Sequence, residues 1–403
     1  MRTLTMIQTV CGSLLLASLT GAAAPVMAGD VLGYARTVDI AARAMCDMPI
    51  VMLGENSHGD GNTTSFKVAL VKKLINECDF NAVYFEAGIY DFLDIENRLR
   101  SGKAITPEMV SSSMGWIRNQ NKEIAPLIPF LYNAAVDGRV ILGGLDDQLG
   151  GRGAYYSNDQ MLQDMSNQLT KDKQQICYDR FKQWVWGDFP EDAPYTTEGR
   201  SRIEQCLTDT EAAINYEESD RPSYDQSFLA MVASFRRVLA RGFTDPKTYA
   251  PRRDHSMFLN FEWLRSRLSA NSNIIIWSVN SHVAKDPSTA QAFLHGRNLG
   301  SYIAENYGDQ AFALGFSAAG GSYRWSGNVN KPVPVAADRS LEARAIEGIA
   351  TPAAYVNHAQ LSEFGVVDAA SFGHKISSYD WSKVFDGVIV FRQEQPLTPI
   401  AKK

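Results

Sequence analysis

Residues 50–59 read Ile50-Val51-Met52-Leu53-Gly54-Glu55-Asn56-Ser57-His58-Gly59, four apolar residues followed by a glycine and a run of chemically capable side chains. A short apolar run without alternation suits a strand buried on both faces of a parallel sheet. Downstream, Phe66, Leu70, Val71, Leu74 and Ile75 recur at helical spacing, with Lys72 and Lys73 facing out. Ala82-Val83-Tyr84-Phe85 repeats the strand signature and runs into Glu86-Ala87-Gly88. The segment from Ile50 to Glu86 therefore predicts one right-handed βαβ unit, with Gly59-Asp60-Gly61 as a flexible turn into the helix.

Four further runs carry the same signature: Val140-Ile141-Leu142, Ile274-Ile275-Ile276-Trp277, Ala311-Phe312-Ala313-Leu314 and Val388-Ile389-Val390-Phe391. Together the six predict an α/β fold, a mostly parallel sheet flanked by helices. The stretch at about 150–252 differs. It is polar and helical in pattern, has no strand run, and holds Trp184, Trp186, Cys177 and Cys206. It reads as a helical insertion placed to cover a site.

The chain has 403 residues, 45% apolar and 21% charged, which excludes disorder, collagen-like repeats and coiled coil. Its net charge of −6, with no basic stripe, argues against nucleic acid as a partner. Arg2, the apolar stretch from about Met6 to Leu19, the small residues Gly21 to Ala24 and Val26-Met27-Ala28 read as a signal peptide over residues 1–28. One domain, residues 29–403, remains, and the expected location is periplasmic or secreted, with no membrane contact after cleavage. In an oxidising compartment Cys46, Cys78, Cys177 and Cys206 allow two disulfides, and proximity suggests Cys46–Cys78 and Cys177–Cys206. Buried free thiols are the alternative.

A polar cluster follows nearly every apolar run. Glu55, Asn56, Ser57 and His58 follow the first, Glu86 the second, Asp146-Asp147-Gln148 the third, and Asn280-Ser281-His282 the fourth. Sites in open α/β sheets form beyond the carboxyl ends of strands, so Glu55, His58, Glu86 and His282 are expected to converge. Two histidines and two carboxylates suit general-base catalysis, in which a neutral imidazole takes a proton from water and a carboxylate fixes its tautomer. The same set also suits a metal site. There is no GxSxG elbow, HExxH, phosphate-binding GxxxxGK[ST] or CxxC. His255 sits in Arg252-Arg253-Asp254-His255-Ser256-Met257, which opens a helix, and His295, His358 and His374 lack acidic neighbours in sequence; all four read as structural or exposed.

Leu53 to Gly59 resembles the GExxHG motif of the erythromycin esterase family. Phe80 to Glu86, Trp277-Ser278-Val279-Asn280-Ser281-His282-Val283, the helix start Arg253-Asp254…Met257…Asn260, and Gly300 through Gly315-Phe316 resemble further segments of that family. The resemblance runs from about Ile50 to Phe391. It implies an α/β core with added helices and, from characterised members, opening of macrolide lactone rings. By resemblance His58 is the general base, Glu55 and Glu86 orient and polarise the water, and His282 contacts the carbonyl or the attacking water. Macrolide-hydrolysing members carry Arg nine residues beyond the motif histidine, where this chain has Lys67, which loses the planar fork. Lys67, Asn280 and Asp146 are the expected substrate contacts.

The function so implied is an exported carboxylic ester (lactone) hydrolase acting on a small-molecule ester, with no cofactor and no metal. The alternatives are a metal- or haem-binding periplasmic protein on a related fold and a non-catalytic binding module of the cell envelope.

Overall fold

The computed structural model describes residues 31–115, 120–150, 153–187, 196–214, 222–242, 246–286, 288, 296–325 and 329–400. The expected signal peptide and His295 lie outside them. Helix α1 (Val31–Met45) leads into β1 (Ile50–Leu53), α2 (Gly61–Glu77), β2 (Phe80–Gly88) and α3 (Ile89–Arg100). The remaining strands are β3 (Ile141–Asp146), β4 (Asn273–Trp277), β5 (Ala311–Ala318), β6 (Ser322–Trp325), β7 (Val329–Pro332), β8 (Ala353–Asn357), β9 (Val366–Phe372), β10 (Lys375–Asp380) and β11 (Gly387–Phe391).

Seven strands form one sheet in the order β3-β2-β4-β1-β5-β11-β8. All pairs are parallel except β11 with the edge strand β8. Each of the six apolar runs is a strand of this sheet. β1 and β2 flank α2 in sequence but do not touch, because β4 is threaded between them. The βαβ reading is right in its elements and skips one sheet position. β6–β7 and β9–β10 form separate antiparallel pairs.

Side chains alternate between the two faces, and both faces are covered. Ile50 and Met52 enter one apolar cluster, with Met257, Phe261 and the helices after β3. Val51 and Leu53 enter the other, with α1, α2 and Leu131. Burial on both sides removes any need for polar alternation, and each fully buried aliphatic side chain contributes roughly 1.5–3 kcal/mol.

Between residues 150 and 252 the chain forms the helices Gln160–Asn167, Lys171–Trp186, Thr197–Ala213 and Pro222–Gly242, with no strand among the described residues. Buried Asp91 of α3 anchors their start. It accepts from the Tyr155 and Tyr156 amides at 2.9 and 2.8 Å and from Ser157 Oγ at 2.6 Å. Disulfides join Cys46 to Cys78, at the ends of α1 and α2, and Cys177 to Cys206, between two of these helices. No helix among the described residues is long and apolar enough to cross a membrane.

Candidate active site

The register decides the site. Leu53 lies level with Trp277, and Trp277 with Phe85, so β1, β4 and β2 end together. β3 closes the row, with Asp146 opposite Gly88. Glu55, His58, Glu86, Asp146 and His282 thereby meet at one edge.

The loop after β1 is tightly built. Its two glycines leave no room for a Cβ: one at Gly54 would stand 2.1 Å from Asn280 Oδ1, and one at Gly59 1.7 Å from the Arg324 carbonyl oxygen. Asp60 is fully buried and accepts from the Ser57 amide at 2.7 Å, and its other oxygen lies 2.8 Å from His374 Nε2. The Asn56 side chain is clamped between the Ala370 carbonyl and the His374 amide. The turn expected to be flexible is therefore pinned by the β9–β10 hairpin. His374 is buried beneath the loop, whereas His255 and His358 are exposed.

His58 Nδ1 lies 2.6 Å from Glu55 Oε1. The second Glu55 oxygen accepts from Lys67 Nζ at 2.8 Å and from Trp277 Nε1 at 2.9 Å. A carboxylate held this way fixes the imidazole and directs Nε2 away from it. That Nε2 is 3.9 Å from Glu86 Oε1. The His58 side chain is 29% exposed, while Glu55 and Glu86 are each 4% exposed.

Glu86 accepts from Ser278 Oγ at 2.8 Å, the Val279 amide at 3.2 Å and Arg253 Nη2 at 3.0 Å. Burial alone raises its pKa, but His282, His58 and Arg253 outweigh burial and hold it well below the usual carboxylate range. Arg253 also grips Asp146, with Nη2 at 2.5 Å and Nε at 3.0 Å from the same oxygen. Burial opposes the Arg253 charge, yet Asp146 and Glu86 push its pKa well above the ordinary value, and Asp146 is lowered in turn.

His282 is buried, with Nδ1 2.7 Å from Asp254 Oδ1, which also accepts from the Leu299 amide at 2.9 Å. Burial presses the imidazole toward neutrality, but Asp254 and then Glu86 lift its pKa to about 10. These two carboxylates favour the imidazolium form. Arg253 Nη1 lies 3.2 Å from His282 Nε2. Glu86 Oε1, 3.0 Å from Arg253 Nη2 and 3.5 Å from His282 Nε2, is an anion shared by the two side chains.

The four residues expected to converge do so. Lys67, Asn280 and Asp146, the expected substrate contacts, are bonded to protein groups beside the cluster. Lys67 is fully buried, with Nζ on Glu55 and on the Ser278 carbonyl and lying 4.2 Å over the Trp277 ring. Asn280 bonds the Phe316 and Ser371 carbonyls and the Phe316 amide, tying the end of β4 to β5 and β9. Asp146 holds Arg253. Arg253 and Asp254 escaped sequence reasoning as site residues, although the Arg253-Asp254…Met257…Asn260 pattern carried the signal. Asn260 of the same helix donates to the Leu145 carbonyl at 2.8 Å and docks the helix on β3.

Among the described residues no group of three or more His, Cys, Asp or Glu could hold a metal ion. The carboxylate oxygens at the site are directed at Lys67, Arg253, Trp277 and Ser278.

The family model described as erythromycin esterase matches residues 75–394, a span that includes Glu86, Asp146, Arg253 and His282 and begins beyond Glu55 and His58. A Bacillus subtilis (strain 168) protein named "Putative hydrolase YbfO" is 22% identical over 355 residues, 76% of this chain and 74% of its own length. Among solved structures, a Bacillus cereus protein superposes with a TM-score of 0.69 at 16% identity, over 90% of this chain and 92% of its own. A mutant of the erythromycin esterase EreC in its open conformation gives 0.60 at 15% identity, over 89% and 94%. These likenesses establish the fold, and the family match extends over most of the chain: it belongs to the erythromycin esterase family, a family of hydrolases.

Proposed function

We propose that this chain is an exported carboxylic ester hydrolase that opens lactones, macrolactone rings among them, with a water activated by His58. The observation that carries the reading is the Glu55–His58 pair, held from behind by Lys67 and Trp277, with Nε2 3.9 Å from the buried Glu86, which Arg253 and His282 also face. His58 is also the accessible member of the group.

In the reaction, His58 Nε2 takes a proton from water while the oxygen attacks the acyl carbon. Glu55 stabilises the imidazolium that forms. The negative charge growing on the carbonyl oxygen is met by the cations His282 and Arg253, fixed in advance by Asp254 and Asp146. His58 then returns the proton to the departing alkoxide as the acyl–oxygen bond breaks. No covalent enzyme intermediate is needed, in keeping with a sequence that has no nucleophile elbow. Two disulfides suit an oxidising compartment and support export to the periplasm or medium.

The test is mass spectrometry of macrolides, a 14-membered lactone included, and of simpler esters incubated with wild type and His58→Ala. Gain of one water with wild type, reduced about 10²–10⁴-fold in a folded His58→Ala protein, is the expected result. Full activity in the folded variant refutes the role of His58.

A further inference from the structure

On another face of the helix that carries Arg253 lies a groove of about 340 Å³, toward the small end of ligand sites. Arg237, Arg241, Arg252, His255, Ser256 and Tyr302 line it, and among the described residues no Asp or Glu does. The three guanidinium groups differ in how their charge is met. Arg241 is paired with buried Asp147 through two bonds of 2.5 Å. Arg237 is half-buried and, among the described residues, bonds neutral oxygens, Ser256 Oγ at 2.7 Å and the Asn260 side-chain carbonyl. Arg252 is exposed and forms no ion pair with the described residues. Burial, then the charges of Arg237 and Arg297, lower the pKa of His255, so the imidazole lies in a positive field.

Arg237 is reached by Asp147 only through space, without an ion pair, and Arg252 has no ion pair among the described residues, so the cations facing the groove are incompletely matched by anions. The fork geometry of arginine fits a planar carboxylate or a phosphate oxyanion. Arg252, His255 and Ser256 share the first two turns of Tyr249–Ser266 with Arg253, so the groove lies within about a helix diameter, roughly 10 Å, of the catalytic cluster.

We infer that this groove binds an oxyanion, a carboxylate or phosphate group, carried by the ester substrate or by a separate small anion. The substrate form rests on the esterase reading, whereas the binding site itself does not. Calorimetric titration of the full protein with inorganic phosphate tests the site. Saturable binding should weaken at least tenfold in Arg237→Gln and severalfold in Arg252→Gln, and stay unchanged in His58→Ala. Arg252 is exposed, so that variant keeps the test alive if Arg237→Gln fails to fold.

Equal phosphate affinity in wild type and Arg252→Gln, or loss of binding in His58→Ala, overturns the site. Two esters differing only in a neutral or a carboxylate tail separate the sources. A preference for the carboxylate ester that Arg252→Gln abolishes assigns the anion to the substrate. Phosphate binding without such a preference assigns it to a separate anion. If no ester is hydrolysed the esterase reading fails, and the phosphate titration still decides the groove.

Discussion

Replacing Asp254 by Asn removes one charge and keeps the Oδ1 acceptor that serves His282 Nδ1 and the Leu299 amide. The climb of His282 from 6.5 to about 10 corresponds to roughly 5 kcal/mol in favour of the imidazolium, after burial has been overcome. A folded-state pKa above the unfolded one means that the native protein holds this proton more tightly. The stabilisation is therefore complete below the ordinary histidine range and is lost as pH rises toward about 10. An adjacent opposite charge moves a pKa by about 1–3, so Asp254→Asn should lower that of His282 by this amount. Urea unfolding at about pH 6.5 and about pH 9.5 reads the consequence. Wild type should lose about 3–4 kcal/mol between the two, and the variant about 0.7–3 kcal/mol less. Other groups that titrate in this range are common to both proteins and cancel in the difference. The alkaline limb of the ester-hydrolysis profile should move down by the same interval. Equal pH losses in the two proteins, with both folded, would refute the assignment of His282 as a buried imidazolium.

Lys67→Met leaves the buried Glu55 carboxylate without its cation, and urea unfolding near neutral pH should show a loss of about 3–5 kcal/mol. Asn280→Ala strands the Phe316 and Ser371 carbonyls and should cost about 1–3 kcal/mol or more, with kcat falling as the loop that carries His282 loosens. Reduction of Cys177–Cys206, which closes a span of 29 residues, should lower stability by about 2–4 kcal/mol, checked by thermal unfolding of Cys177→Ser/Cys206→Ser.

The sheet was legible because strands buried on both faces must be apolar throughout, and Ile50–Leu53 and Ile274–Trp277 leave no other economical reading. The edge strand Ala353–Asn357 was not, since it mixes Ala, Tyr and Asn and gains its order from pairing with β11. β3 begins with Ile141-Leu142 but continues through Gly143 and Gly144, residues that disfavour strands in isolation. They are required by packing: a Cβ at Gly143 would meet the Tyr84 ring at 2.5 Å, and one at Gly144 the Gly88 carbonyl at 2.4 Å. In the site, convergence followed from strand ends alone. The division of labour did not, because which of Lys67, Asp146 and Arg253 faces solvent depends on helix placement. Asp60 and His374 are 314 residues apart, and only the β9–β10 hairpin brings them together.

The charges at the site explain why His58, of the titratable groups assembled, is suited to move a proton. Glu55, Glu86, Asp146 and Asp254 are four carboxylates, and Lys67, Arg253 and His282 supply three cations. Each of those three is held by at least one carboxylate: Lys67 by Glu55, Arg253 by Glu86 and Asp146, His282 by Asp254 and Glu86. A proton lost from any of them would leave a buried carboxylate less compensated, a costly change in a medium of low dielectric. His58 is different. In the proposed reaction the proton that it takes from water adds a positive charge beside Glu55. On the proposed mechanism, the fixed carboxylates and cations around it stabilise the charge distribution reached during water activation, which is the condition for accelerating that step.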